Sequence, residues 1–225
     1  MTTTEQHEDY IGGVTTLDAQ RIGLVADSHC AEPDGSDLPD ELFQALEGVD
    51  AIVHLGHTGL PGKPNRGSLD RLAKLAPLLA VQDFAGDGAG NVVLTPADGD
   101  RIKGLTRVLE VGGVRVGLIH NLEREPGEAV VTPPGGLPEL DASKLADILP
   151  SKFGGPVDVV AFASTHRPVA ISAAGVLFVN PGSPTYPKGP GRVAGQLSLG
   201  TVGVLTVQDG VVTFELCELA GFAAG

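Results

Sequence analysis

The sequence predicts one α/β domain with two sheets, and three observations support that prediction. Short apolar runs recur along the 225 residues, and each is followed by a polar or Gly-rich turn. In the first half these runs alternate with helix-like periodicity, which favours a parallel sheet. In the second half they follow one another across tight turns, which is typical of antiparallel strands. A chain of this length can bury a core without disulfides or other staples.

The first half is predicted to alternate strands and helices. The first twenty residues lack sustained periodicity and are expected to form a flexible tail (residues 1–20), so that a single domain would span residues 21–225. Buried strands are predicted at residues 21–26 (RIGLVA) and 50–55 (DAIVHL). Leucines recur on one helical face after the first of these strands, and a second helix and a third strand follow.

The second half is predicted to add antiparallel strands. Gly112-Gly113 separates two apolar runs and indicates a hairpin, and Asp209-Gly210 indicates another near the C-terminus. Between these hairpins Asp141 is expected to cap a helix. The change from alternating elements to hairpins is why two sheets are predicted within one domain.

Charge and composition exclude several classes of protein. The 28 acidic residues outnumber the 15 basic ones, giving a net charge of −13. Nucleic-acid binders need a basic footprint, so general binding of nucleic acid or of an anionic membrane is not expected. No apolar run approaches the ~18 residues that cross a bilayer, and two cysteines are too few for a disulfide framework. A cytoplasmic location is expected, and the sequence leaves a homo-oligomer open.

Histidines gather directly after the predicted strands. Asp27 and His29 follow the first strand, and residues two apart in extended backbone point to the same side. His57, His120 and His166 also follow apolar runs. Functional groups in open α/β sheets collect in the loops beyond the carboxyl ends of strands. Together these positions predict a site for a divalent metal.

Two nearby residues have a structural interpretation instead. His54 lies inside a predicted strand and is expected to be a structural histidine. Cys30 is adjacent to His29, but a small packed side chain is expected there rather than a soft metal ligand.

Six short motifs follow the predicted strands. They are D-S-H at 27–29, L-G-H at 55–57, an acidic loop at 81–87, L-I-H-N at 118–121, A-S-T-H-R-P at 163–168 and V-N-P-G-S at 179–183. Their order resembles that of the calcineurin-like metallophosphoesterases, in particular the small bacterial and archaeal phosphodiesterase branch. The resemblance implies a four-layer α-β-β-α sandwich of two mixed sheets. It also implies a metal-dependent phosphoesterase that hydrolyses a phosphodiester or a small organic phosphate through a metal-bound hydroxide.

The resemblance further implies which residues hold the main metal. Asp27, His29 and His166 match the first metal site of the family. His57 stands where the family has a carboxylate that bridges two ions. An imidazole offers one lone pair and ordinarily serves one metal. One well-made site is therefore expected, with the second weak or absent. A set of one carboxylate and three imidazoles suits a divalent Mn, Zn or Fe ion.

The remaining functional positions are implied in the same way. Asp83 and His120 would be secondary metal ligands, and Asp87 is an alternative to Asp83. His120 is also the candidate catalytic residue, which would protonate the leaving oxygen of a small phosphate ester, and a hydrogen-bonded loop residue is the alternative interpretation. Arg167 is a candidate on position alone: it follows His166 and could bind the substrate phosphate, and a solvated loop charge is the alternative interpretation.

Two departures from the family pattern support a second interpretation. His57 replaces the bridging carboxylate, and Ser164 replaces a ligand histidine. The chain could therefore be a non-catalytic protein of the same fold that binds a partner protein, as the small subunit of the retromer complex does. The turn at 180–183 is expected to support the site rather than to supply ligands.

Overall fold

Two mixed sheets packed face to face form the centre of the fold. The computed structural model of the chain describes residues 11–60, 65–82, 99–123, 142–189 and 195–223. Within them, helices cover the outer face of each sheet, which gives the layer order helix, sheet, sheet, helix. The predicted four-layer α/β fold of two mixed sheets is confirmed.

The five-stranded sheet contains the β-loop-α unit that the first half predicts. Its strands are β2 (Arg21–Val25), β3 (Ala51–His54), β4 (Leu78–Ala80), β10 (Thr201–Gln208) and β11 (Val211–Glu218), in the order β11-β10-β2-β3-β4. Strands β2, β3 and β4 run parallel, whereas β10 is antiparallel to both β2 and β11. Helices α1 (Asp40–Ala45) and α2 (Arg66–Leu72) connect the parallel strands, and a 3₁₀ turn (Leu219–Gly221) follows β11.

The six-stranded sheet contains the predicted hairpin at residues 112–113, whereas the one predicted at Asp209-Gly210 joins β10 and β11 of the five-stranded sheet. Its strands are β1 (Ile11–Thr16), β5 (Thr106–Val111), β6 (Val114–Ile119), β7 (Val159–Ala161), β8 (Pro168–Ala173) and β9 (Val176–Pro181), in the order β1-β5-β6-β7-β9-β8. The pairs β5–β6 and β8–β9 are antiparallel, and β6, β7 and β9 run parallel to one another. Residues 112–113 form the turn of the first hairpin as predicted.

Helix α3 (Ala142–Phe153) covers the outer face of the six-stranded sheet. The predicted cap, Asp141, lies outside the described residues. The Phe153 ring is buried directly over Gly117 of β6, where an added Cβ would come within 2.9 Å of the ring. This close approach explains a glycine in the middle of a buried strand.

The N-terminal tail prediction is wrong for residues 11–16, because these residues form β1 and pair in parallel with β5. The Arg107 guanidinium of β5 holds β1 in place by donating to Thr15 Oγ1 at 2.8 and 3.1 Å. Gly13 has a φ of +74°, and the pairing register shifts beside it. This irregularity breaks the period-two pattern by which a strand is recognised in a sequence. Residues 1–10 lie outside the described residues, and the domain boundaries stay a prediction.

Strand β2 shows how the layers share their side chains. Ile22 and Leu24 face the core between the two sheets, whereas Val25 belongs to the core under α1 and α2. All three side chains are fully buried. A strand buried on both faces is a continuous apolar run, and the first polar side chains beyond it therefore lie at the edge of the central core.

Among the described residues, no helix is long and apolar enough to cross a membrane. The cytoplasmic location and the homo-oligomer both stay predictions.

The Arg107 contact predicts the stability of the N-terminal strand. Replacing Thr15 by Val keeps the side-chain shape but leaves two guanidinium N–H groups without their acceptor. The free energy of unfolding, measured by urea denaturation, should fall by about 1–3 kcal/mol. Thr213→Val on the exposed edge strand β11 is the matched control and should change it by less than about 0.5 kcal/mol. Equal effects of the two substitutions would contradict a holding role for Arg107.

Candidate metal centre

Strands from both sheets end at one cluster of polar side chains. In the five-stranded sheet, β2 and β3 lead to Asp27 and His57. In the six-stranded sheet, β6 and β7 lead to His120 and His166. Because the carboxyl ends of these strands meet at the same edge of the sandwich, residues far apart in the chain become neighbours.

The centre of the cluster is a carboxylate oxygen, Asp27 Oδ1, which is completely buried. Three imidazole nitrogens face it: His57 Nδ1 at 3.5 Å, His166 Nε2 at 3.7 Å and His120 Nε2 at 3.8 Å. His29 Nε2 lies 3.1 Å from His166 Nε2. The candidate ligand atoms of Asp27, His29, His57 and His166 all lie within 4.8 Å of one another.

Backbone carbonyls fix the orientation of two of these rings. His120 Nδ1 lies 2.7 Å from the Leu55 carbonyl oxygen, and His166 Nδ1 lies 2.8 Å from that of Tyr186. A carbonyl can only accept, so each Nδ1 carries the proton and donates it. In the neutral ring, Nε2 then carries the lone pair, and both Nε2 atoms face Asp27 Oδ1. Metal-binding histidines are typically held in this way by a carbonyl or a carboxylate.

These donors fit a single divalent ion. Two donors that each lie about 2.0–2.1 Å from one tetrahedral ion are roughly 3.4 Å apart. The distances of 3.1, 3.5 and 3.7 Å among the four residues are close to that value. Lone pairs directed at a buried carboxylate repel it, and a cation between them turns that repulsion into attraction. Asp27 Oδ1 has no hydrogen-bond partner of good geometry among the described residues, which is consistent with an oxygen reserved for an ion.

Three hydrogen bonds orient Asp27 so that Oδ1 points into the cluster. The backbone N–H of Ser164 donates to Oδ2 at 3.0 Å, and the N–H of Asp27 itself donates to the Gly56 carbonyl at 3.0 Å. Ser183 Oγ donates to the Asp27 carbonyl at 2.7 Å. Burial alone would raise the pKa of Asp27, but positive charge on the facing rings of His166, His57 and His120, when they are protonated, outweighs burial and holds the pKa well below its usual range. A bound cation acts on the carboxylate in the same direction. The carboxylate is therefore charged.

The turn that begins at Asn180 supports the site, in agreement with its expected role. Its side-chain amide donates to the Ala163 carbonyl and to Thr165 Oγ1, both at 3.2 Å, and its oxygen accepts from the N–H of Gly182 at 2.8 Å. The loop after β7, which carries His166, is thereby attached to the end of β9.

The backbone at the site is strained. Seven non-glycine residues in the described ranges have a positive φ, and five of them belong to this cluster. They are Asp27 (+51°), His29 (+45°), His57 (+61°), Ser164 (+70°) and His166 (+58°). The expectation that extended backbone aligns Asp27 with His29 is therefore wrong, because tight left-handed turns bring them together instead. Such residues cost stability and cluster at functional sites.

The two residues with a structural interpretation behave as expected. His54 is fully buried: its Nδ1 accepts from the Gly56 N–H at 3.1 Å, so its Nε2–H donates to Ser28 Oγ at 3.0 Å. Burial lowers the pKa of His54 to about 3, so the ring is neutral. Burial also raises the pKa of the Cys30 thiol to about 12, and this side chain packs in the core under α1 and α2.

Other predicted site residues have a different standing. Asp83 and Asp87 lie outside the described residues, so the second metal site stays a prediction. Arg167 is half-buried; its N–H donates to Thr165 Oγ1 at 3.3 Å, and its role with substrate also stays a prediction. Burial and the neighbouring His57 lower the pKa of His29 to about 3, so this ring is neutral with a lone pair available to a metal.

Sequence reasoning missed the groups that hold the ligands in place. These groups are backbone atoms, namely the Leu55 and Tyr186 carbonyls and the Ser164 N–H. Every residue type has them, so the sequence does not indicate their role. The Tyr186 ring also contacts His29 edge-on, with 5.3 Å between centroids. Its place six residues after Asn180 is the one signal in the sequence that could have drawn attention to it.

The fold and the donor set define an α/β sandwich whose candidate metal ligands come from both sheets. The chain belongs to the calcineurin-like phosphoesterase superfamily, whose domain model matches residues 21–210. The predicted family membership is thus confirmed, and β1 lies before the matched region.

Individual relatives agree with this assignment. A protein of Methanothermobacter thermautotrophicus described as a "probable metallophosphoesterase" is 32% identical over 171 residues, which is 74% of this chain and 78% of that protein. A similarly described protein of Methanocaldococcus jannaschii is 29% identical over 178 residues, or 79% and 75%. Chaetomium thermophilum Vps29 shares the fold, with a TM-score of 0.55 and 18% identity over 89% of this chain and 96% of that one.

The buried neutral His54 predicts how stability depends on pH. In the unfolded chain a histidine binds a proton below pH about 6.5, whereas His54 in the folded chain stays neutral. Stability is therefore full above pH about 6.5 and falls as the pH drops towards about 4, by up to about 1.4 kcal/mol per pH unit from this residue. Urea unfolding of EDTA-treated protein at several pH values measures this slope.

In His54→Gln the free energy of unfolding should depend less steeply on pH, by about the 1.4 kcal/mol per pH unit that one proton contributes. The glutamine amide can still donate to Ser28 Oγ, but it does not titrate. Above pH about 7 the two proteins should give parallel curves. An unchanged slope below pH about 6 would contradict the neutral buried His54.

Proposed function

We propose that this chain is a metal-dependent phosphoesterase that hydrolyses a phosphodiester or a small organic phosphate. The observation that carries the proposal is the buried Asp27 Oδ1 facing three imidazole nitrogens, two of which present a lone pair because backbone carbonyls hold the other nitrogen. Membership of the phosphoesterase superfamily supports the same reaction class.

Asp27, His29, His57 and His166 would hold the ion. One carboxylate with neutral imidazoles suits divalent Zn, Fe or Mn, and it leaves the loaded site with a net positive charge that attracts an anionic phosphate. When bound, such an ion lowers the pKa of a coordinated water to about 7 and polarises a phosphoryl oxygen. The strand-end loops of both sheets orient the donors before substrate arrives, so no reorganisation is needed at the moment of reaction.

His120 is the proposed proton-transfer residue. Its Nε2 faces the cluster with a lone pair, since Nδ1–H is occupied by the Leu55 carbonyl. In this form it accepts a proton from water, and once protonated it can give that proton to the leaving oxygen. Arg167 follows the ligand His166 and is the proposed residue that steadies the substrate phosphate.

A partner-binding role without catalysis is the second candidate function. His57 favours it, because a neutral imidazole does not bridge two cations as a carboxylate does, and one-ion occupancy would weaken two-metal chemistry. The fold shared with Vps29 is compatible with both candidates. Both candidate functions include metal binding, so hydrolysis of a phosphate ester is the measurement that distinguishes them.

The donor set predicts a metal-dependent gain in stability. Zinc, manganese or ferrous ion at about 100 times its dissociation constant should stabilise EDTA-treated protein by about 2.7 kcal/mol, which raises the melting temperature by about 5–10 °C. Asp27→Asn keeps an acceptor for the Ser164 N–H but removes the charge, and it should lose most of this gain. Asp70→Asn, at an exposed carboxylate paired with Arg101, is the matched control and should keep it.

Turnover provides the second prediction. Wild-type protein loaded with metal should hydrolyse bis(p-nitrophenyl) phosphate, and chelation should stop the reaction. Asp27→Asn should lower kcat/KM by at least the roughly 100-fold that loss of a group orienting a metal ligand can cost. Asp70→Asn should match the wild type. Tight metal binding without turnover on mono- and diesters would reject the enzyme and leave the partner-binding candidate.

A further inference from the structure

We propose that Lys188 is a substrate-binding residue of this metal centre, where its ammonium group holds a non-bridging oxygen of the substrate phosphate. The inference rests on the proposed function, because it assigns a partner for the phosphate that the site would hydrolyse. It adds a residue that lies in none of the metal-ligand motifs of the sequence.

The backbone around Lys188 is attached to the ligand His166 on two sides. The N–H of Lys188 donates to the His166 carbonyl at 2.9 Å, and the Tyr186 carbonyl accepts from His166 Nδ1 at 2.8 Å. Pro187 lies between them and has a restricted φ. This segment can therefore move only together with His166. The backbone of Lys188, from which its side chain extends, is thus held next to the candidate ligand.

The same segment is anchored to the loop that carries Asp27. Thr185 Oγ1 donates to the Ser28 carbonyl at 2.7 Å, and Ser183 Oγ accepts from the Tyr186 N–H at 2.9 Å while donating to the Asp27 carbonyl. The Tyr186 ring lies against His29. The segment from Ser183 to Lys188 thus forms one wall of the metal centre.

Lys188 is half-buried at this wall, and it lies two residues after Tyr186, whose ring contacts His29. Among the described residues Lys188 forms no ion pair, whereas Lys103 pairs with Asp100 and Arg71 with Asp40. A half-buried cation that has no ion pair in the described part of the chain, beside a site for an anionic substrate, has a ready partner in that substrate.

Lysine binds phosphate as a point charge, and a charge-assisted hydrogen bond of this kind accounts for about ten- to hundredfold in affinity. Since the bond is made to the ground-state phosphate as well as to the transition state, its loss should raise KM more than it lowers kcat. It should also weaken the binding of inorganic phosphate, which needs no chemistry.

The test compares Lys188→Met, Lys188→Arg and Lys74→Met in the metal-loaded, full-length chain. Lys74 is exposed and follows α2, so Lys74→Met removes the same charge away from the cluster. Isothermal titration with inorganic phosphate is the first readout, and KM and kcat for bis(p-nitrophenyl) phosphate are the second. Bound metal is measured in every variant.

Lys188→Met is expected to weaken phosphate binding and to raise KM by about ten- to hundredfold, with bound metal unchanged. Lys188→Arg should restore most of the loss, and Lys74→Met should change phosphate affinity less than twofold. Phosphate affinity in Lys188→Met equal to that in Lys74→Met overturns the proposal, as does loss of bound metal that accounts for the whole effect.

The two proposals fail in different ways. Wild-type protein that binds phosphate through Lys188 but hydrolyses no ester would reject the enzyme and keep Lys188 as an anion-binding residue. Wild-type turnover with an unaffected Lys188→Met would keep the enzyme and reject this role. Should Lys188→Met fold poorly, Lys188→Gln replaces it. Glutamine also removes the charge, and it keeps the backbone N–H that contacts His166.

Discussion

A buried carboxylate surrounded by imidazole nitrogens is the constraint on which the site depends. Asp27 is charged, has no exposure to water, and directs one oxygen at rings whose lone pairs also face it. Burying such a group without a counter-charge is costly, and desolvated charges persist in proteins when they are paired or bound to metal. The arrangement is stable with a cation at its centre and poorly compensated without one. The strained turns and the hydrogen bonds behind them follow from the need to hold these donors together.

The rest of the fold holds the strained residues of the site in their unfavourable backbone conformations. Left-handed turns at Asp27, His57 and His166 direct their side chains inward at the ends of fully buried strands. The hydrogen bonds from Asn180 and Ser183 connect the loops that carry Asp27 and His166, so neither turn can relax alone. A stiff two-sheet core therefore carries a site whose local conformation is unfavourable, which is the usual way in which strained functional residues persist.

Much of this organisation follows from the order of residue types. Apolar runs and turn residues predict both sheets, and the positions of Asp27 and four histidines after strands predict where polar groups gather. The position of His54 inside a strand was enough to identify it as a structural histidine rather than a candidate ligand. Strand β1 was missed because Gly13 and the register shift beside it erase the alternation, and because its partners, strand β5 and the Arg107 side chain, lie about ninety residues away in the chain.

The details of the site depend on atoms that residue identity does not specify. The carbonyls of Leu55 and Tyr186 determine which nitrogen of each ring faces the cluster, and any residue type supplies a carbonyl. Backbone strain at His29 could not be expected, because short extended loops are the default after a strand. Lys188 gave no signal, since a lysine after a proline is ordinary until the chain is seen to attach to His166.

The origin of the donors in both sheets has a mechanical consequence. Asp27 and His57 move with the five-stranded layer, whereas His120 and His166 move with the six-stranded layer. An ion bound by members of each pair would act as a rivet between the layers and resist any sliding of one over the other. A substitution that loosens the packing between the sheets, even far from the cluster, would then lower the affinity for the ion. Binding of the ion would slow amide hydrogen exchange in both sheets together.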